Sequence, residues 1–65
     1  MNIILNGEPT DIKENEALSD IVKRLNLEGP VAAQVNEEII RFDELHNKKL
    51  SEGDRVELFR MMGGG

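Results

Sequence analysis

The sequence predicts an α+β fold, a mixed sheet of four to five strands with one main helix packed on one face. Three features predict it. An isoleucine-rich start runs into Asn6-Gly7, the dipeptide best suited to a tight hairpin turn. Leu18, Ile21, Val22 and Leu25 then recur at helical spacing. The remainder returns to short apolar runs between polar turns and closes on an alternating stretch at 55–60.

Taken in order, Ile3 and Leu5 fall on one face of the first strand and Ile4 on the other. Residues 10–12 form the return strand, and Pro9 has no N–H for a ladder, so that strand is expected at an edge. The helix is expected over residues 16–26. Asn15 suits its N-cap, Glu14 and Glu16 suit the positive end of its dipole, and Gly29-Pro30 follows its end. Strands at 31–36 and 39–42 flank the polar turn Asn36-Glu37-Glu38. Residues 43–50 are polar apart from Leu45 and Leu50, which would anchor a turn of 3₁₀ helix. Ser51-Glu52-Gly53-Asp54 turns the chain into the last strand. There Val56 and Leu58 share the inward face, while Glu57, Phe59 and Met61 point outward.

The resulting order is β-β-α-β-β-β. A helix that follows a hairpin must bury its apolar stripe on the sheet. Leu18, Ile21, Val22 and Leu25 should therefore face Ile3, Leu5, Val35, Val56 and Leu58. The helix and its flanks supply the long crossover that parallel pairing needs, so the last strand should run parallel to the first. This is the ubiquitin-like β-grasp arrangement: a body at 1–60 and a flexible C-terminal tail at 61–65 that ends in Gly-Gly-Gly.

Composition narrows the function. The 65 residues allow one domain, and a chain this short buries only about 60% of the surface its unfolded form exposes. There is no cysteine to form a disulfide, and Phe42 and Phe59 are the only aromatic rings. Walls for an active-site cleft are scarce, which argues against an autonomous enzyme. The net charge of −5 and the lack of stacking aromatics argue against nucleic acid and suit a partner with a basic face. No apolar run is long enough to span a bilayer, and no leader pattern directs export, so a cytoplasmic home is expected.

Sites for chemistry are equally sparse. His46 is the sole histidine, too few for a catalytic zinc, and the pairs Glu37-Glu38 and Asp43-Glu44 lack calcium-loop spacing. Thr10, Ser19 and Ser51 have no histidine base with an orienting acid. Gly63-Gly64-Gly65 opens no helix, so it is not a phosphate loop. What remains is a thin, side-chain-free end directly after the last strand, fit to enter a narrow slot in a partner enzyme with its carboxylate unhindered. Beside it, an outward Phe59 with Met61 on the same face reads as an interface anchor.

The opening "MNIILNGEP", the middle "VAAQVNEEII" and the ending "LSEGDRVELFRMMGGG" resemble the small sulfur carrier proteins of thiamine biosynthesis, over the whole chain. The most specific element is "EGDRVELF" joined to a terminal glycine run. The resemblance implies a carrier that binds no cofactor of its own. A ubiquitin-activating-like adenylating enzyme, using ATP and Mg²⁺, would adenylate the Gly65 carboxylate. Sulfur from a cysteine desulfurase or another persulfide donor would then give a thiocarboxylate for thiazole synthase. Gly63 and Gly64 would form the thin stem, and Phe59 would sit where related carriers place a partner-facing hydrophobic residue. Met61-Met62 is bulkier than some stems of that family. Two readings share the fold and tail: the small subunit of molybdopterin synthase, and a ubiquitin-like modifier that forms amides with lysines. A plain interaction domain with an idle tail is a further alternative.

Overall fold

The computed structural model describes residues 1–60. Its strands are β1 (Asn2–Leu5), β2 (Glu8–Asp11), β3 (Val31–Val35), β4 (Glu38–Ile40) and β5 (Arg55–Arg60), with one α-helix, α1 (Leu18–Arg24), and a 3₁₀ helix at Phe42–Asn47. The strands form one mixed sheet in the order β2-β1-β5-β3-β4. The last strand therefore fills the centre. It runs parallel to β1, with Ile4 opposite Arg55 and Leu5 opposite Val56, and antiparallel to β3 from Val31–Arg60 to Val35–Val56.

Local chemistry explains the two outer hairpins. Asn6 and Gly7 have φ of 50° and 87°, the positive pair that a type I′ turn demands. In the loop joining β3 to β4 only Asn36, at φ 56°, is left-handed. Pro9 sits within β2, opposite Ile4, on the outer strand of the sheet, as its missing N–H requires. The return strand spans Glu8–Asp11, not residues 10–12. Ile12, just past it, is buried with the core.

The core lies between α1 and one face of the sheet. Leu18 and Ile21 pack with Ile3, Leu5, Val31, Ala33, Val35 and Val56, and the 3₁₀ segment contributes Leu45 and, just beyond, Leu50. Val22 and Leu58 are partly buried against this cluster. No polar or charged side chain among the described residues is buried, so apolar packing alone holds the helix to the sheet.

Two expectations about the helix are corrected. First, Asn15 does not cap it. Ala17 takes the N-cap position in extended geometry, and its methyl accepts no hydrogen bond. An isolated antiparallel bridge to Lys49 holds Ala17 there. Asp20 supplies the polar half of the cap, its carboxylate accepting the Ala17 N–H at 3.0 Å. Second, Leu25 does not face the sheet: it is the C-cap residue and 45% exposed. Asn26 enters the left-handed region at φ 57°. Its N–H bonds the Lys23 carbonyl at 3.1 Å, and the Leu27 N–H bonds that of Val22 at 3.3 Å. This is a Schellman stop. It ends the helix before Gly29-Pro30 and swings Leu27, not Leu25, onto the core.

Candidate functional site: the open sheet face and the end of β5

Strand alternation sorts β5 cleanly. Val56 is buried and Leu58 half-buried beneath the helix, while Arg55, Glu57 and Phe59 lie on the opposite face. Phe59 is 41% exposed. Its register partner on β3 is Ala32, which is only 4% exposed although it belongs to the open face. A methyl beside a large aromatic neighbour is shielded by it, so Phe59 both covers Ala32 and stays accessible. The outward position expected of Phe59 is therefore observed.

The same face carries an apolar residue that the sequence reading left unassigned. Ile39 of β4 stands opposite Gln34, the outward residue of β3 two places from Ala32, and is 58% exposed. Its burial partner Ile40 points inward. The signal was present in the Ile39-Ile40 pair: adjacent strand residues take opposite faces, so one of the two had to be exposed. Phe59 and Ile39 thus share one uncovered face, interleaved with Gln34 and Glu57. No helix among the described residues covers it.

Elsewhere the surface offers little to catalysis. Two open grooves, of about 340 and 330 Å³, lie beside β4 and near the start of α1. In the first, Lys48 pairs with Glu38 at 3.3 Å and Asn47 donates to Glu44 at 3.4 Å. Arg41, also in its lining, pairs with Asp43 at 3.6 Å. His46 is exposed on the 3₁₀ helix. Among the described residues no three His, Asp or Glu side chains are grouped to hold a metal ion, and no helix is long and apolar enough to cross a membrane. Met61, Gly63, Gly64 and Gly65 lie outside the described residues. β5 brings the chain to within a few residues of them, since its last residue is Arg60.

A helix on a five-stranded mixed sheet, with the last strand central and parallel to the first, defines a ubiquitin-like β-grasp protein. Within that class the chain belongs to the ThiS family, whose model matches residues 3–65, the glycine run included. It is similar to the crystal structure of the thiamine biosynthesis protein ThiS from Geobacter metallireducens, with 26% identity, a TM-score of 0.79 and 100% of each chain covered. It is also similar to the solution structure of a thiamine biosynthesis protein from the same organism, with 26% identity, a TM-score of 0.74, and 100% of this chain and 88% of that one covered. Curated proteins give no match.

Proposed function

We propose that the chain is a sulfur carrier of thiamine biosynthesis and acts as a protein co-substrate, not as a catalyst. The observation that carries this reading is the match of the ThiS family model over residues 3–65, a span that includes the glycine run. In the proposed reaction the Gly65 carboxylate attacks the α-phosphorus of ATP on an adenylating enzyme, and pyrophosphate leaves. A carboxylate is a poor electrophile, and the acyl-adenylate gives it a good leaving group. The terminal sulfur of a persulfide donor such as a cysteine desulfurase then displaces AMP to form an acyl disulfide, and a thiol reductant supplies the two electrons that cleave its S–S bond and leave a thiocarboxylate on Gly65. Thiazole synthase takes up that sulfur. ATP and Mg²⁺ belong to the adenylating enzyme, and the whole sequence is assigned to the cytoplasm, where these enzymes and ATP are supplied.

Intact-mass measurement tests the reading. Incubation with the adenylating enzyme, ATP, Mg²⁺ and sulfide is expected to add the mass difference between one sulfur and one oxygen. A chain whose mass is unchanged, with the enzyme active on another carrier, refutes it.

The open face supports a docking role for Phe59. A carrier must seat its body on the partner so that the tail is held at the reacting centre. An aromatic anchor near the middle of an interface commonly contributes 2 kcal/mol or more. Phe59→Ala is therefore expected to weaken binding to both the adenylating enzyme and thiazole synthase by about 2 kcal/mol. Its melting temperature should stay close to that of the parent, because the ring is outside the core cluster. Titration calorimetry with each partner and a thermal melt check this. Unchanged affinity, or a collapsed melt, counts against the anchor.

A further inference from the structure

We propose that Asn6 is a positioning residue for the carrier reaction: its side-chain oxygen holds the second half of β5, and with it Phe59 and Arg60, the last residue of the strand. This rests on the carrier reading above, and it starts from a gap in the sheet. β1 pairs with β5 only at Ile4–Arg55 and Leu5–Val56. Beyond Leu5 the chain turns away through Asn6-Gly7 into β2. The stretch from Glu57 to Arg60 thus has β3 on one side and no strand on the other.

Asn6 fills the first rung of that gap in an unusual way. A continuing parallel strand would give its N–H to one residue of β5 and its carbonyl to the N–H two residues further on. Asn6 does the first, its N–H bonding the Val56 carbonyl at 2.8 Å. The second bond is made by the side chain: the Leu58 N–H donates to Asn6 Oδ1 at 2.9 Å. The left-handed turn at Asn6 takes the backbone away to β2, and the amide oxygen stands in for the next rung. Among the described residues, Asn6 is therefore the last group bonded to β5 on its β1 side, one residue before Phe59.

Asn36 repeats the chemistry at the other end of the same strand. It too is left-handed, its N–H bonds the Arg55 carbonyl at 2.7 Å, and its Oδ1 accepts the Arg55 N–H at 3.1 Å. Both hairpin turns thus clamp β5 by a side-chain oxygen, but only the Asn6 clamp lies next to Phe59. Asn36 is a built-in control for any effect of general destabilisation.

The substitutions separate turn from clamp. Asn6→Gly keeps a residue at ease with positive φ and removes the oxygen, whereas Asn6→Asp keeps both. Loss of one hydrogen bond of this kind should speed amide exchange at Leu58 by about tenfold relative to amides of the core strands. In ATP–pyrophosphate exchange with the adenylating enzyme, Asn6→Gly should raise the KM for the carrier by a similar factor, with kcat nearly unchanged. Asn6→Asp should restore both, and Asn36→Gly should leave KM at the parent value. Three results overturn the proposal: parent-like Leu58 exchange and KM in Asn6→Gly, failure of Asn6→Asp to restore them, or an equal rise of KM in Asn36→Gly. If the parent chain itself is inert in the exchange assay, the carrier reading fails, and the docking role of Asn6 with it. Leu58 exchange then still reports whether the clamp exists.

Discussion

Replacing Gly64 with valine is expected to abolish activation by the adenylating enzyme while leaving the fold untouched. Glycine has no Cβ, so a run of three makes the slimmest segment a polypeptide can present. A branched side chain one residue from the reacting carboxylate widens that segment where the slot must be narrowest. Misplacing a reacting atom by about 1 Å can by itself cost a hundredfold in rate. Deleting Gly65, or adding one residue after it, moves the carboxylate further and should be at least as severe. The fold is expected to persist because, among the described residues, every member of the core cluster lies between Met1 and Leu58. Pyrophosphate exchange and a thermal melt on the same samples decide the matter. Parent-like exchange in the truncated chain ends the carrier reading, and parent-like exchange in Gly64→Val ends the argument from tail thickness.

The second large effect is on stability. Leu18→Ala is expected to cost about 2–5 kcal/mol. Leu18 opens α1 and is 0% exposed, packed with Ile3, Val56 and their neighbours. A domain with about 5–15 kcal/mol in all cannot lose that much without a clear fall in its denaturation midpoint. Leu25→Ala is the contrasting case. Its side chain lies on the helical stripe in the sequence yet remains largely in water, so its removal should change stability by no more than about 0.5 kcal/mol. Urea unfolding of the two variants checks both figures. Equal costs would put Leu25 in the core and the described helix end in error.

That pair also marks how far the fold could be read in advance. Periodicity places Leu18 and Ile21 on the buried stripe because both fall within the helix. It misplaces Leu25 because the stripe is only as long as the helix, and the helix stops at Arg24. The stop was written in Asn26, a residue tolerant of left-handed geometry, followed by Leu27 at the spacing of a Schellman contact. The more familiar Gly29-Pro30 signal obscured it. The N-cap was hidden for a different reason: Ala17 has no capping chemistry, and a bridge to Lys49, far away in sequence, fixes it. By contrast, Asn6-Gly7, the edge position of Pro9 and the alternation of β5 are local signals, and each appears where the sequence places it. The same division runs through the candidate site. The outward side of Phe59 follows from strand period. The hydrogen bond between Asn6 and Leu58 depends on which strands become neighbours, so no local pattern reveals it. The adenylated and thiocarboxylated role of Gly65 rests on the family resemblance, whereas the thin stem at Gly63 and Gly64 and the outward side of Met61 are readings of residue type and strand period.

The central place of β5 also orders events during synthesis. Each of the two hairpins, β1–β2 and β3–β4, needs only nearby residues, but they are joined into one sheet by a strand made after both. Before Arg55 to Arg60 emerge from the ribosome, β1 and β3 each show an unfilled edge, and Val56 is missing from between them. Contacts between the two ends of a chain are the slow ones to form, because the intervening loop must first be closed. A nascent or prematurely ended chain is therefore an open sheet with exposed edges, liable to aggregation and proteolysis. Completion of the body and emergence of the segment leading to the glycines become a single step. Quality control of folding then doubles as quality control of length: molecules that pass as folded have been translated at least through Arg60.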